Sequence, residues 1–241
     1  MKPLRLALAL AALAATGVVA AAEERHGPPG HPRNSYANPS AVISVELAFA
    51  RLAQDKGQWT AFAATSAPDA VMFTPQMVYA RSWLHGRANP PVAVQWQPHQ
   101  IWSSCDGSLM VSHGAWQRPH STGYFTTLWQ RQKDGSYKWI LDSGDDLTQP
   151  LPTPEMIAAA IADCPTRSRR QGSKPDQPTS PQRADPKHPA PLDPAQRSGR
   201  SDDGSLRWSV TVDPSGARTL RIDWTKDGAD KVALSETVKS G

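Results

Sequence analysis

Residues 124–142 read YFTTLWQRQKDGSYKWILD, two strand-like runs about an Asp134-Gly135 pair. Asp-Gly between alternating apolar runs is the strongest short-range hairpin signal. A two-residue turn there would set Trp129 opposite Ile140, Leu128 opposite Leu141 and Thr127 opposite Asp142. One face would then carry Phe125, Trp129 and Ile140, and the other Tyr124, Leu128, Trp139 and Leu141. Arg131 would oppose Lys138, which is mildly unfavourable, so a bulged register stays open. Either register leaves both faces apolar, whereas a sheet with one face in water alternates apolar and polar residues. The hairpin therefore requires cover on both sides. Helices preceding it can supply one cover, and a dimer partner or the C-terminal strands the other.

The preceding chain supplies those helices. Asn38-Pro39 has the pattern of an N-cap followed by proline at the first helical position. Val42, Val45, Phe49 and Leu52 fall on one stripe of a helix over 40–54, which Gly57 ends. A second short helix over 58–65 presents Trp59, Phe62 and Ala63. A brief strand at 70–73 and a short helical piece at 79–85 follow. From Val92 the pattern turns to strands: VAVQW, HQIWSS, SLMVSHGAWQ, YFTTLWQRQ and SYKWILD, with Asp106-Gly107 and Asp134-Gly135 between consecutive runs. A last short helix is expected over 154–162, capped by Thr153. The hexapeptides SCDGSL (104–109) and SDDGSL (201–206) look alike, but the likeness ends within a few residues and marks no repeat.

The two ends differ in kind. Lys2 and Arg5 precede an apolar run over 6–19 and an Ala20-Ala21-Ala22 site, the pattern of a secretory signal peptide over 1–22. That run is too short for a comfortable membrane span. Residues 23–37 read as a flexible arm. Residues 165–200 hold 8 Pro, 8 Lys or Arg and no aromatic, Ile or Val. Such a stretch buries too little apolar surface to offset its ordering entropy, so it is expected to be a disordered linker. Three short strands, over 206–212, 219–224 and 231–234, form a C-terminal β segment within 201–241. The net charge of +4 is concentrated in the signal peptide and the linker, while 23–164 carries −2. No basic folded face is implied, so nucleic acid is not an expected partner. The expected location is periplasmic or secreted, with no membrane association after cleavage. Cys105 and Cys164 would form a disulfide there.

Helix, short helix, DAVMFTP (69–75), a broken helix and a long antiparallel sheet ending in YFTTLWQRQKDGSYKWILDSGD together resemble the nuclear transport factor 2-like superfamily. The likeness covers about residues 38–146 and is nearest the exported SnoaL-like members of unknown activity. It implies an α+β fold, a cone-shaped curved antiparallel sheet packed on the N-terminal helices, over 38–164. Some members are ketosteroid-isomerase-like or polyketide-cyclase-like enzymes, and many others bind ligands or have no established chemistry. Their enzymes use pocket carboxylates, His or Tyr for proton transfer. The candidate catalytic pair in this chain is Asp142 with His113, and the candidate ligand-binding residues are Trp96, Trp116, Tyr124 and Asp69. A carboxylate among apolar rings would have a raised pKa suited to a general acid or base. The plainer role for Asp142 is to cap the Gly144 loop, and for His113 to pack.

No paired catalytic set matches the family's enzymes residue by residue, so enzyme status stays open. No G-x-S-x-G, phosphate-binding glycine loop or H-E-x-x-H occurs. His99, His113 and His120 lack a convincing metal spacing. No metal or cofactor is expected. The first expectation is a small-ligand-binding or dimerisation module, taking a small apolar ligand or pairing as a homodimer. The second is an isomerase, cyclase or hydratase.

Overall fold

A computed structural model describes residues 37–165 and 191–240. The expected signal peptide, residues 23–36 of the arm and residues 166–190 of the linker lie outside the described residues.

Helix α1 spans Pro39–Lys56 and α2 Gln58–Thr65. Pro39 starts α1 at a position where a missing N–H costs nothing. The Asn38 side chain makes no cap hydrogen bond; its carbonyl instead accepts from the Ala41 N–H. Gly57, at φ 96°, turns the chain directly from α1 into α2. A side chain there would be strained, and its Cβ would fall 2.3 Å from Asn89. The buried stripe of α1 is Val42, Glu46, Phe49 and Ala53, rotated by about one residue from the stripe read in the sequence. That rotation brings a carboxylate into the core.

After α2 come β1 (Ser66–Phe73), β2 (Met77–Tyr79), α3 (Ala80–Leu84), β3 (Gln95–Ser103), β4 (Leu109–Arg118), β5 (Ser121–Arg131), β6 (Tyr137–Leu147) and β7 (Ala158–Ile161). They form one sheet in the order β2-β1-β6-β5-β4-β3-β7. The architecture is α+β, as expected, but the sheet is mixed rather than antiparallel. β1 runs parallel to β6, and β7 runs parallel to β3. β7 replaces the helix expected over 154–162. Its alanines favour helix intrinsically, but an open edge of β3 offers hydrogen bonds, and tertiary pairing overrides propensity. Ala162 N–H donates to the Ser103 carbonyl at 2.8 Å, and the Cys105–Cys164 disulfide, with Cα atoms 5.0 Å apart, pins the strand just beyond. Closing a 59-residue separation is worth roughly 4 kcal/mol in the chain-entropy model, and often less in practice.

The 134–135 hairpin takes the bulged register. Gly135 N–H donates to the Gln132 carbonyl and Gln132 N–H to the Ser136 carbonyl, which makes a three-residue loop with Gly135 at φ 85°. Trp129 pairs with Trp139, whereas beyond a bulge at Ile140 the expected pairs Leu128–Leu141 and Thr127–Asp142 return. The expected two-residue turn, and the placing of Trp139 on the face away from Trp129, are corrected. The bulge moves Trp139 to the same side as Trp129, facing the helices. There Trp139 Nε1 donates to the Phe62 carbonyl, and Trp129 Nε1 to Glu46.

The opposite, outer face is covered by the chain itself. β8 (Gln196–Arg200), β9 (Leu206–Val212), β10 (Arg218–Lys226) and β11 (Ala229–Val238) form a second sheet, in the order β11-β10-β9-β8. Leu206, Trp208, Val210, Leu220 and Ile222 join one core with Val111, Leu128 and Leu141. β8 lies within the segment expected to be disordered. Its residues are polar, and it owes its order to pairing with β9 rather than to burial of its own.

The two similar hexapeptides meet at the join between the sheets. In each, the central aspartate Oδ1 accepts from both serine hydroxyls, with Gly107 at φ 67° and Gly204 at φ 75°. Each turn then caps the other. Asp106 N–H donates to Asp203 Oδ2 and Asp203 N–H to Asp106 Oδ2, while Cys105 N–H donates to Ser205 Oγ and Asp202 N–H to Ser108 Oγ. The likeness is one of local turn chemistry used twice, and it fastens the C-terminal sheet to the β3–β4 turn.

Candidate functional site

Between the helices and the sheet lies a cleft of about 140 Å³. Phe49 of α1 and Phe62 of α2 wall it on one side, and Trp96 of β3, Trp116 of β4 and Phe125 of β5 on the other. Phe49 makes edge-to-face contacts with Phe62 and Trp96, with ring centroids 4.8 and 4.7 Å away. Phe125 pairs with Gly114 on β4 and Gly144 on β6, where a Cβ would fall 2.1 Å from the Gln97 carbonyl oxygen and 2.3 Å from that of Tyr124. Thr127 and Asp142, a cross-strand pair, add the polar groups.

Thr127 Oγ1 donates to Asp142 Oδ2 at 2.7 Å. Burial pushes the Asp142 carboxyl up to about 7, opposed by the Thr127 hydrogen bond and reinforced by the nearby Glu46. A carboxyl of this kind holds its proton at a pH where the unfolded chain has released it. Folding stability therefore falls as pH rises from about 4 to about 7. Because Asp142 keeps partial contact with water, we expect about half of the full linkage, roughly 2 kcal/mol. Asp142→Asn should remove that slope, so urea unfolding at about pH 4 and about pH 8 will show a flatter profile. Parallel profiles for the two proteins would refute the shift.

Glu46 lies beneath the cleft wall with no exposed surface. Trp96 Nε1 donates to Oε1 at 2.8 Å, Trp129 Nε1 to Oε2 at 2.9 Å, and the Ser112 hydroxyl also to Oε2. Burial pushes its carboxyl up, against those three hydrogen bonds. Sequence reasoning passed over Glu46, although its spacing (four after Val42, three before Phe49) sets it inside the apolar stripe.

The other expected residues divide. Trp96 and Trp116 line the cleft. Tyr124 does so through its backbone, whose carbonyl accepts from Trp116 Nε1 at 3.0 Å. Its ring stands 5.9 Å from that of His113 on the outer face, and burial with nearby Glu236 and Asp145 pushes the phenol up to about 12. His113 does not join Asp142. On β4 it alternates with Ser112, which faces Glu46, so its ring points to the C-terminal sheet. His113 Nδ1 lies 3.0 Å from Glu236 Oε1 and 3.0 Å from Thr126 Oγ1, whose hydroxyl donates to Glu236 Oε2. The expected Asp142/His113 pair is thus split by the sheet, and His113 docks β11. Asp69 likewise lies away from the cleft, with Oδ2 3.1 Å from Arg197 of β8. Among the described residues no group of three or more His, Cys, Asp or Glu could hold a metal ion.

No protein-family model and no curated protein matches the chain. Among solved structures, a protein from Parabacteroides distasonis, itself only a proposed ketosteroid isomerase, aligns at TM-score 0.38 and 13% identity, covering 48% of this chain and 98% of its own. A protein of unknown function from the DUF3225 family of Pectobacterium atrosepticum aligns at TM-score 0.36 and 12% identity, covering 49% of this chain and 100% of its own. At these values the likenesses assign the chain to no family.

Proposed function

We propose that the chain is an exported binding module of the nuclear transport factor 2-like type. It takes a small, ring-sized apolar molecule whose hydroxyl or carbonyl group hydrogen-bonds Asp142. The observation that carries this reading is the Asp142 carboxyl set into an aromatic cleft of about 140 Å³. An apolar cavity of about 150 Å³ accepts a benzene ring, so the size suits one ring. A carboxyl that titrates near 7 can donate or accept a hydrogen bond at neutral pH. Export is supported by the charged, apolar and alanine-rich start, and a disulfide is compatible with an oxidising compartment. Among the described residues no helix is long and apolar enough to cross a membrane. The outer face of the main sheet has a cover of its own, so self-association is not part of this reading.

Calorimetric titration with phenol at about pH 6 should give a Kd near the millimolar range, about −4 kcal/mol. Asp142→Leu should weaken it by about tenfold, the loss of one buried hydrogen bond. Absence of heat with phenol would sink the reading. A second reading, proton transfer at carbon beside a carbonyl, is favoured by the same near-neutral carboxyl acting as a base. Deuterium exchange at the α-carbon of cyclohexanone, faster than buffer and lost in Asp142→Asn, would select it.

A further inference from the structure

At the mouth of the same cleft stands Arg118, the last residue of β4. It follows Trp116 by two residues along the strand, so both side chains leave the same face of the sheet. Its guanidinium carbon lies 5.1 Å from the centroid of the Trp116 ring. Arg51, Arg197, Arg207 and Arg221 each hold an aspartate, and Arg81, Arg87 and Arg218 donate to backbone carbonyls. Arg118 has no such partner among the described residues, and it is exposed.

The ring beneath it is held in place. Trp116 Nε1 donates to the Tyr124 carbonyl, and the indole lies against Gly123, where a Cβ would come within 2.4 Å of the ring. A guanidinium resting near a fixed aromatic face, at the rim of an apolar cleft, is arranged to receive a planar anion, because carboxylate geometry matches its fork of donors. Trp116 pairs with Gly123 and Thr127 with Asp142. Arg118 itself pairs with Ser121, so the two polar ends are separated by six residues of β5, about 20 Å between backbone positions. Both side chains reach into that interval, and what remains suits one ring with a short acidic arm.

Resting on the binding role given to the cleft above, we propose that its ligand is a small cyclic or aromatic carboxylic acid. The carboxylate pairs with Arg118, the ring lies among Trp116, Phe125 and Phe49, and a distal hydroxyl or oxo group meets Asp142. Arg118 is then the residue that determines specificity for acids over neutral rings.

The test uses the full chain, titrated calorimetrically with phenol and with 4-hydroxyphenylacetate at about pH 6, where the probe's carboxylate is ionised. The acid should bind about tenfold more tightly than phenol, the effect of one charge-assisted pair. Arg118→Gln, an exposed position outside the core, should bring the acid down to the affinity of phenol and leave phenol unchanged. Added salt should shrink the acid's advantage in the wild type. If phenol binds and the acid binds no better, this assignment is overturned while the neutral-ring reading stands. An advantage that survives in Arg118→Gln overturns it as well. If neither compound binds, the underlying reading fails and the assignment with it.

Discussion

Replacing Glu46 by alanine should destabilise the fold by about 3 kcal/mol, although the residue is charged by type and sits on a helix beside the cleft. The loss comes from what surrounds it. Its oxygens are the acceptors for the Trp96 and Trp129 indole N–H groups and for the Ser112 hydroxyl. Ser112 can turn toward the Thr127 carbonyl, already 3.4 Å away. The Trp96 indole loses its one acceptor among the described residues, and Trp129 keeps only the Ser112 oxygen. Each buried donor left unpaired costs about 1–3 kcal/mol, and the emptied volume adds to that. Relief of the buried carboxyl offsets part of the sum. Glu46→Gln keeps one carbonyl acceptor but turns an NH₂ group toward the remaining donor, so roughly half the loss should persist. Urea unfolding of the three proteins measures this order. An alanine variant as stable as the wild type would mean that the network contributes nothing, and that Trp96 is not held against the cleft by Glu46.

Ending the chain after Pro165 should have a still larger effect. The five side chains of the C-terminal sheet that share the main core, Leu206, Trp208, Val210, Leu220 and Ile222, would be lost. At about 2 kcal/mol each, this approaches 10 kcal/mol, as much as a whole domain's stability. The outer face, with Val111, Leu128 and Leu141, would be opened to water, and His113 and Thr126 would lose Glu236. We expect no cooperative thermal transition, strong binding of a hydrophobic dye, and association into large species. A cooperatively melting monomer would refute the role given to the C-terminal sheet. A defined dimer would instead show that the outer face can be covered by a second copy, the alternative left by the apolar pattern alone.

Much of this was legible because turn chemistry and helix ends are local. Asp106-Gly107 and Asp134-Gly135 each sit at the turn they signal, and Pro39 and Gly57 bound α1. The need for two covers followed from residues 124–142 alone, since apolar side chains on both faces of a hairpin cannot both meet water. Cys105 and Cys164, in a chain with an export-type start, pointed to a bridge that the fold contains. Asp142 stood out as an acid among rings, and in the fold its carboxyl does lie in the aromatic cleft.

Tertiary structure decided what depends on parity and on distant partners. Side chains alternate faces every residue, so one bulge at Ile140 carries Trp139 to the helix side, and no local signal locates such a bulge. The same alternation sends Asp142 into the cleft and His113 to the opposite face, which two residues in separate strands cannot reveal by spacing. β7 and β8 exist because β3 and β9 offer open edges: one was written in helix-favouring alanines, the other in a polar stretch. Glu46 became a core residue through a rotation of α1 by about one position, where the indoles of Trp96 and Trp129 and the Ser112 hydroxyl donate to it. Local chemistry was enough to set the turns, the helix ends and the demand for cover. The three-dimensional fold decided which face each functional side chain meets, because that choice is settled by hydrogen-bond partners tens of residues away.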